Sequence, residues 1–295
     1  MKKLKKFIII AVAAVVVAAG VMYFSGPCYK NVDGWTAEQN KFVKNFLYES
    51  QKVKGRKAAV FDVDGTLIGQ VPFYLADEVM LSFATENNLM QKQKEVIDYM
   101  LATDDTASDK YTRNRIEFFA GMTMEQMTKL GEKVWQEKYG QKKVYPEMVQ
   151  LVRNLEKFGY EIYGITCSPE FVYQGVVEKY FGIPVNHIIG AKGIVTDGQM
   201  TARAVEPFPC HEGKAEVIHT FIKESPLIAA GNSSGDSAMV ATSAGIKIWV
   251  NPSEKLAAEC NADSKCMIVR SNDTDSGGDF AARRAGIKPN RPEPK

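Results

Sequence analysis

Apolar and polar positions change their period several times along the chain. From Phe7 to Phe24 there is no polar face: 18 uncharged residues follow the basic start Met1-Lys2-Lys3-Leu4-Lys5-Lys6. A basic end before an apolar run predicts an export signal. A run of about 18 residues is also just enough to span a bilayer, so a cleaved signal and a retained anchor both stand. Ala18-Ala19-Gly20 offers the small residues of a cleavage site, while Pro27 before Cys28 does not fit a lipid-attachment box. Lysines on the leading side keep that end in the cytoplasm and place the rest outside. The expected location is the periplasm, the cell envelope or the exterior, with the membrane a partner only if the segment is uncleaved.

Beyond it, Phe42, Val43, Phe46 and Leu47 recur at helical spacing after Trp35-Thr36, which predicts an amphipathic helix. Lys57 to Phe61 reads as a short buried strand. From Phe73 to Gly140 the period is helical throughout, with helices expected over 74–87, 91–101, 110–119 and 123–139. Met122, Met124 and Met127 at helical spacing read as core filler. Pro146 opens a further helix, as proline suits a first helical position, and Gly159 closes it. Strands and helices then alternate: strand 161–165, loop 166–169, helix 170–181, strand 185–189. A hairpin over 191–204 turns at Lys192-Gly193 and Asp197-Gly198. Helix 213–224, strand 227–230, helix 237–244 and strand 246–250 follow. The tail from about 271 is rich in Gly, Asp, Arg and Pro and reads as flexible. This alternation predicts an α/β fold, a parallel sheet covered on both faces, with an all-helical insert after its first strand. The expected domains are 1–27, a core of 28–69 and 141–270, an insert of 70–140, and a tail of 271–295.

Composition changes this little. A net charge of +2 over 295 residues, with scattered Lys and Arg, gives no field or motif for nucleic acid. Export implies an oxidising compartment, which makes the five cysteines matter. Cys260 and Cys266 flank a short polar loop and are the expected disulfide. Cys28 and Cys210 are a further candidate pair, and Cys167 is expected to be a free, buried thiol. His187, His211 and His219 are too isolated to argue for zinc.

The chemistry gathers at strand ends. The first strand runs into Phe61-Asp62-Val63-Asp64-Gly65-Thr66, two carboxylates one residue apart. Thr166 sits in Ile165-Thr166-Cys167-Ser168-Pro169. Lys214 starts a helix in Gly213-Lys214-Ala215-Glu216. Gly231-Asn232-Ser233-Ser234-Gly235-Asp236 follows another strand. In open α/β sheets, ligands bind at the carboxyl ends of strands. An anionic nucleophile meets an anionic phosphoester only if a cation neutralises the site, and Mg²⁺ takes carboxylate and water oxygens with few protein ligands. Asp62 reads as nucleophile and Asp64 as acid and base. Gly65, Thr166, Cys167 and Lys214 are the expected phosphate contacts and Asp62 and Asp64 expected metal ligands, to which the family resemblance given next adds Asn232 and Asp236.

The four segments, in this order, resemble the motifs of the haloacid dehalogenase superfamily of phosphatases over about Lys57 to Val250. Thr-Cys-Ser-Pro-Glu resembles its phosphoserine-phosphatase branch. The resemblance implies a Rossmann-like core, a helical cap in residues 70–140 and a Mg²⁺-dependent phosphomonoester hydrolase with an aspartyl-phosphate intermediate. Its partner would be a small phosphorylated metabolite. Two departures matter. Ile68-Gly69-Gln70-Val71-Pro72 lacks the acid that branch uses to hold an ammonium, which counts against phosphoserine. Asn232 stands where an aspartate is usual, so the metal loses a charge. The export segment, Trp35 and the aromatics Phe73, Tyr74 and Tyr111 resemble an exported relative such as phosphorylcholine phosphatase, with an aromatic cage for a quaternary ammonium. Arg113 and Arg115 either bind substrate anions or face solvent. The competing expectations are a phosphotransferase or phosphomutase on the same scaffold, or a catalytically weak envelope protein of this fold. A dehalogenase is disfavoured because Asp64 is present.

Overall fold

The computed structural model describes residues 26–70, 73–103 and 105–271. The apolar run Phe7–Phe24 and the expected flexible tail from 272 lie outside the described residues. None of the described helices is long and apolar enough to cross a membrane. From Val32 onward the described residues form one compact unit.

That unit is built on a seven-stranded sheet: β1 (Ala58–Asp62), β2 (Glu161–Pro169), β3 (Ile188–Thr196), β4 (Gln199–Val205), β5 (Ile228–Gly231), β6 (Ile246–Val250) and β7 (Cys266–Val269), in the order β4-β3-β2-β1-β5-β6-β7. All neighbours run parallel except β3 and β4. Every residue of β1 and β5 is buried. Strands covered on both faces need unbroken apolar runs, and Ala58-Ala59-Val60-Phe61 and Ile228-Ala229-Ala230 supply them.

The helices are α1 (Ala37–Glu49), α2 (Leu75–Glu86), α3 (Lys94–Ala102), α4 (Asp109–Phe118), α5 (Met124–Lys138), α6 (Pro146–Lys157), α7 (Glu170–Phe181), α8 (Glu212–Val217), α9 (Ser237–Ala241) and α10 (Glu254–Asn261). Thr36 with Gln39 and Thr123 with Gln126 form capping boxes at the starts of α1 and α5, each satisfying two otherwise orphaned amides. The four expected insert helices are α2 to α5, each within three residues of its expected bounds at either end.

Several expectations are corrected. The 166–169 stretch is not a loop: β2 runs on to Pro169, with a register shift against β3 between Ile165 and Pro169. Val185–His187 is a 3₁₀ turn, and the strand begins at Ile188. Lys192-Gly193 lies within β3. The hairpin turns only at Asp197-Gly198, both with positive φ (51° and 78°), as a two-residue loop matched to strand twist demands. The helix that holds Lys214 becomes a π turn over Ile218–Ile222, closed by Lys223 in the left-handed region. Met127 is core, but Met124, first residue of α5, is exposed.

The cysteines pair differently from expectation. Cys260 and Cys266 are joined as expected, but Cys210 is bonded to Cys167, with Cα atoms 5.0 Å apart, and Cys28 is free and exposed. Cys167 is therefore not a free thiol. The partners are 43 residues apart and meet because the carboxyl end of β2 and the turn before α8 border the same cavity.

The helical insert is fastened to the core. Gly131 of α5 lies against α7, where a Cβ would stand 2.1 Å from the Val172 carbonyl oxygen. The α4–α5 loop extends the hairpin: the Gly121 amide donates to the Met200 carbonyl (2.7 Å) and the Met200 amide to Met122 (2.8 Å).

Candidate active site

Strand β1 is flanked by β2 on one side and β5 on the other, so its carboxyl end is where chain connections depart in opposite directions. That is the crevice in which such sheets bind ligands. The ends of β1, β2 and β5 bring in Asp62 and Asp64, Thr166, and Asn232 to Asp236, and α8 delivers Lys214. A cavity of about 310 Å³ opens there, lined by all of these residues and by Gln70, Tyr74, Arg115, Cys167, Cys210 and His211.

Asp62 is held through both oxygens. Lys214 Nζ donates to Oδ1 at 2.5 Å and the Thr66 hydroxyl to Oδ2 at 3.0 Å. Lys214 also donates to Asp236 Oδ1 (2.7 Å) and the Ile165 carbonyl (3.3 Å), which uses the three hydrogens of an ammonium. Burial pushes the Asp62 pKa up to about 7, helped by the Asp236 charge and opposed by Lys214. Burial works against the Lys214 ammonium, but the two carboxylates outweigh it and its pKa lies above the ordinary lysine value.

Asp64 faces other partners. The Tyr173 hydroxyl donates to Oδ1 at 3.1 Å and the Thr166 hydroxyl to Oδ2 at 3.5 Å. Burial raises the Asp64 pKa to about 6. Tyr173 also accepts the Ala76 amide of α2 (3.2 Å), so one phenol ties the insert to the carboxylate. Tyr173 was not a sequence candidate, and nothing in its neighbours on α7 would have singled it out.

The turn after Asp64 shows why glycine follows it. Gly65 has φ +85°, and a Cβ there would stand 2.1 Å from Asn232 Nδ2. Its amide does not point to a phosphate as expected: it donates to the Ile68 carbonyl at 2.6 Å. Gly65 contributes space, which lets Asn232 approach the β1 loop. Asp236 accepts the Asn232 and Ser233 amides at Oδ2 (2.9 and 3.0 Å) and so shapes its own loop while holding Lys214.

The insert contributes Arg115, which is buried yet lines the cavity. Its guanidinium donates to Asp77 Oδ1 through Nε (3.1 Å) and Nη2 (2.7 Å), and to the Ser168 hydroxyl through Nη1 (2.8 Å). It also lies over the rings of Tyr111 (4.2 Å) and Tyr74 (5.3 Å). The expected aromatic cage is therefore corrected: Phe73 and Tyr111 are core, and Arg115 already occupies the Tyr74 ring. Arg113 stays at the surface, paired with Glu206.

Three buried carboxylates, Asp62, Asp64 and Asp236, stand against one lysine and a guanidinium already paired with Asp77. Among the described residues, no three acidic, His or Cys side chains converge as a ready-made metal cage. An all-oxygen donor set with surplus negative charge and few direct ligands fits a hard, water-carrying cation such as Mg²⁺.

A sequence profile of the haloacid dehalogenase-like hydrolases matches residues 59–241. No curated protein matches the chain. Among solved structures, a protein of unknown function from Bordetella pertussis Tohama I superposes with a TM-score of 0.59 at 16% identity, covering 73% of this chain and 99% of that one. A functionally unknown protein from Anaerococcus prevotii gives 0.62 at 15%, with 82% and 94% covered. A probable phosphoserine phosphatase from Vibrio cholerae gives 0.51 at 14%, with 89% and 77% covered. These likenesses share the fold, and the profile spans more than half of the sequence, with Asp62, Asp64, Thr166, Lys214, Asn232 and Asp236 all inside it: the chain belongs to the haloacid dehalogenase-like hydrolases.

Proposed function

We propose that this hydrolase is a phosphomonoesterase in which Asp62 attacks phosphorus and forms an aspartyl-phosphate. The observation that carries the reading is the division of labour between the two carboxylates. Asp62 is oriented through both oxygens, by Lys214 and Thr66, as a nucleophile at the mouth of a strand must be. Asp64, two residues on, is oriented separately by Tyr173 and can give a proton to the departing alkoxide, then take one from the attacking water. The phosphoryl group passes to the Asp62 carboxylate as its bond to the ester oxygen breaks, and water later returns it as inorganic phosphate. The Thr166 hydroxyl supplies a hydrogen bond to the phosphoryl oxygens, beside the Cys167 backbone. Lys214 stabilises the crowded charge. Asp62, Asn232 and Asp236 would hold Mg²⁺, with Asp64 nearby; the ion would screen the substrate's charge from the nucleophile.

The substrate is a small phosphorylated metabolite: a cavity of about 310 Å³ lies at the low end of the range for small-molecule sites. We also place the protein outside the cytoplasm. Two disulfides support an oxidising compartment, alongside the basic and apolar start of the chain.

The test is hydrolysis of para-nitrophenyl phosphate with and without Mg²⁺, followed by a panel of phosphocholine, phosphoethanolamine, phosphoserine, sugar phosphates and nucleotides. Metal-dependent phosphate release that Asp62→Asn abolishes is the expected result. Release to a second alcohol in place of water would make it a phosphotransferase. No turnover on any ester, or an Asp62→Asn protein as active as the wild type, would overturn the mechanism.

A further inference from the structure

We propose that the Cys167–Cys210 disulfide is a positioning element of the active site, so that turnover belongs to the oxidised protein and falls when the bond is opened. This rests on the phosphatase reading above.

The bond joins two segments that each carry a working group. Cys167 stands between Thr166, whose hydroxyl reaches Asp64, and Ser168, whose hydroxyl receives Arg115. Cys210 opens the turn into α8: its carbonyl accepts the Gly213 amide (2.9 Å), and the next carbonyl, of His211, accepts the Lys214 amide (3.1 Å). That turn is tight, since a Cβ on Gly213 would stand 1.8 Å from the Phe208 carbonyl oxygen. Between the two cysteines the chain leaves the site, forms α7, β3 and β4, and returns. The third body at this junction is the insert. The Thr112 hydroxyl of α4, fully buried, lies 3.4 Å from the Cys210 sulfur and 3.6 Å from that of Cys167. One covalent link thus sets Thr166, Lys214 and a helix of the insert relative to one another. The other disulfide, Cys260–Cys266, spans six residues beside β7, at the far edge of the sheet, and is a built-in control.

Both Cys167 and Cys210 line the cavity, within reach of a small dithiol. Reduction adds two electrons and two protons, leaving two thiols here and the dithiol as its cyclic disulfide. The Lys214 turn is then free to shift against Thr166, and small misplacements of such groups are costly in rate.

The experiment uses the full chain, with the thiol state read by mass spectrometry of alkylated peptides. Reduction with dithiothreitol is expected to lower kcat on para-nitrophenyl phosphate by about 10- to 100-fold with a smaller change in KM, and reoxidation to restore it. The Cys167→Ser/Cys210→Ser protein should reproduce the loss and no longer respond to dithiol. The Cys260→Ser/Cys266→Ser protein should keep both activity and sensitivity. All are assayed well below their melting temperatures, so that lost stability alone does not register. Calorimetric binding of orthovanadate in the presence of Mg²⁺, on protein freed of the dithiothreitol that would reduce vanadate(V), reads the same geometry without turnover. Weaker binding on opening the bond supports the inference even if no ester is hydrolysed, a result that would sink only the reaction. A Cys167→Ser/Cys210→Ser protein with wild-type kcat, or vanadate affinity indifferent to redox state, would overturn it.

Discussion

Replacing Asp77 with alanine strips a buried guanidinium of its counter-charge. Asp77 is 0% and Arg115 2% exposed. The carboxylate accepts two bonds from Arg115 at Oδ1 and one from the Tyr111 hydroxyl at Oδ2 (2.5 Å). Breaking a buried pair by removing one partner costs about 3–5 kcal/mol, mostly because a charge is left uncompensated. In a compact unit of this size each kcal/mol lowers the melting temperature by roughly 2–4 °C, so Asp77→Ala should lower it by about 10 °C. Equilibrium urea denaturation gives the free energy. A companion protein with Asp77→Leu and Arg115→Met separates charge from shape. Apolar groups of similar volume can replace a buried pair at little cost, so the double variant should be more stable than either single variant, with a coupling energy above about 2 kcal/mol. A loss below about 1 kcal/mol for Asp77→Ala, or single variants that simply add, would refute the view that this pair holds α2, α4 and the end of β2 together.

Asp62→Asn should abolish turnover yet stabilise the metal-free protein at pH 8. The folded-state pKa of Asp62 is raised to about 7, so the favourable, protonated form is fully present below the ordinary aspartate value near 4 and lost as pH rises through about 7. Asparagine escapes that loss, and a gain of roughly 2 kcal/mol in urea is expected, shrinking toward pH 4; a less stable variant at pH 8 would contradict it. Gly65→Ala forces a side chain into a left-handed backbone and against Asn232, and should cost about 1–3 kcal/mol together with most of the activity in the ester assay. Gly131→Ala meets a backbone carbonyl that cannot swing aside, that of Val172, and should cost about 1–3 kcal/mol by thermal melting.

What was legible in the sequence was local. The β1 run, the insert helices and Pro146 as a helix start follow from side-chain period and from capping, which neighbours along the chain decide. The candidate site was legible for a related reason. Asp62, Asp64, Thr166, Asn232 and Asp236 are unusual residue types at or just past strand ends, which a parallel sheet brings together, and Lys214 opens the helix beside them. The misses share a different physics. The partner of Cys167, the Asp77–Arg115 pair and the Tyr173 contact to Asp64 join residues 34 or more apart in sequence, where spacing carries no period. The Gly65 amide is not free for a phosphate because the chain doubles back and the Ile68 carbonyl claims the donor.

The bonds between the α4–α5 loop and β4 bear on how such proteins diversify. An insertion between two strands looks like an exchangeable module, with its own sequence limits. Here Gly121 and Met122 extend a hairpin that the chain completes only 78 residues after Met122, at Met200. The insert and the hairpin therefore form a single heritable unit split across the gene. A chimera that borrows residues 70–140 from a relative would inherit one half of a paired edge, leaving its loop amides and those of β4 without partners. Such a swap keeps the pairing only where the new loop presents its backbone at the same place beside β4.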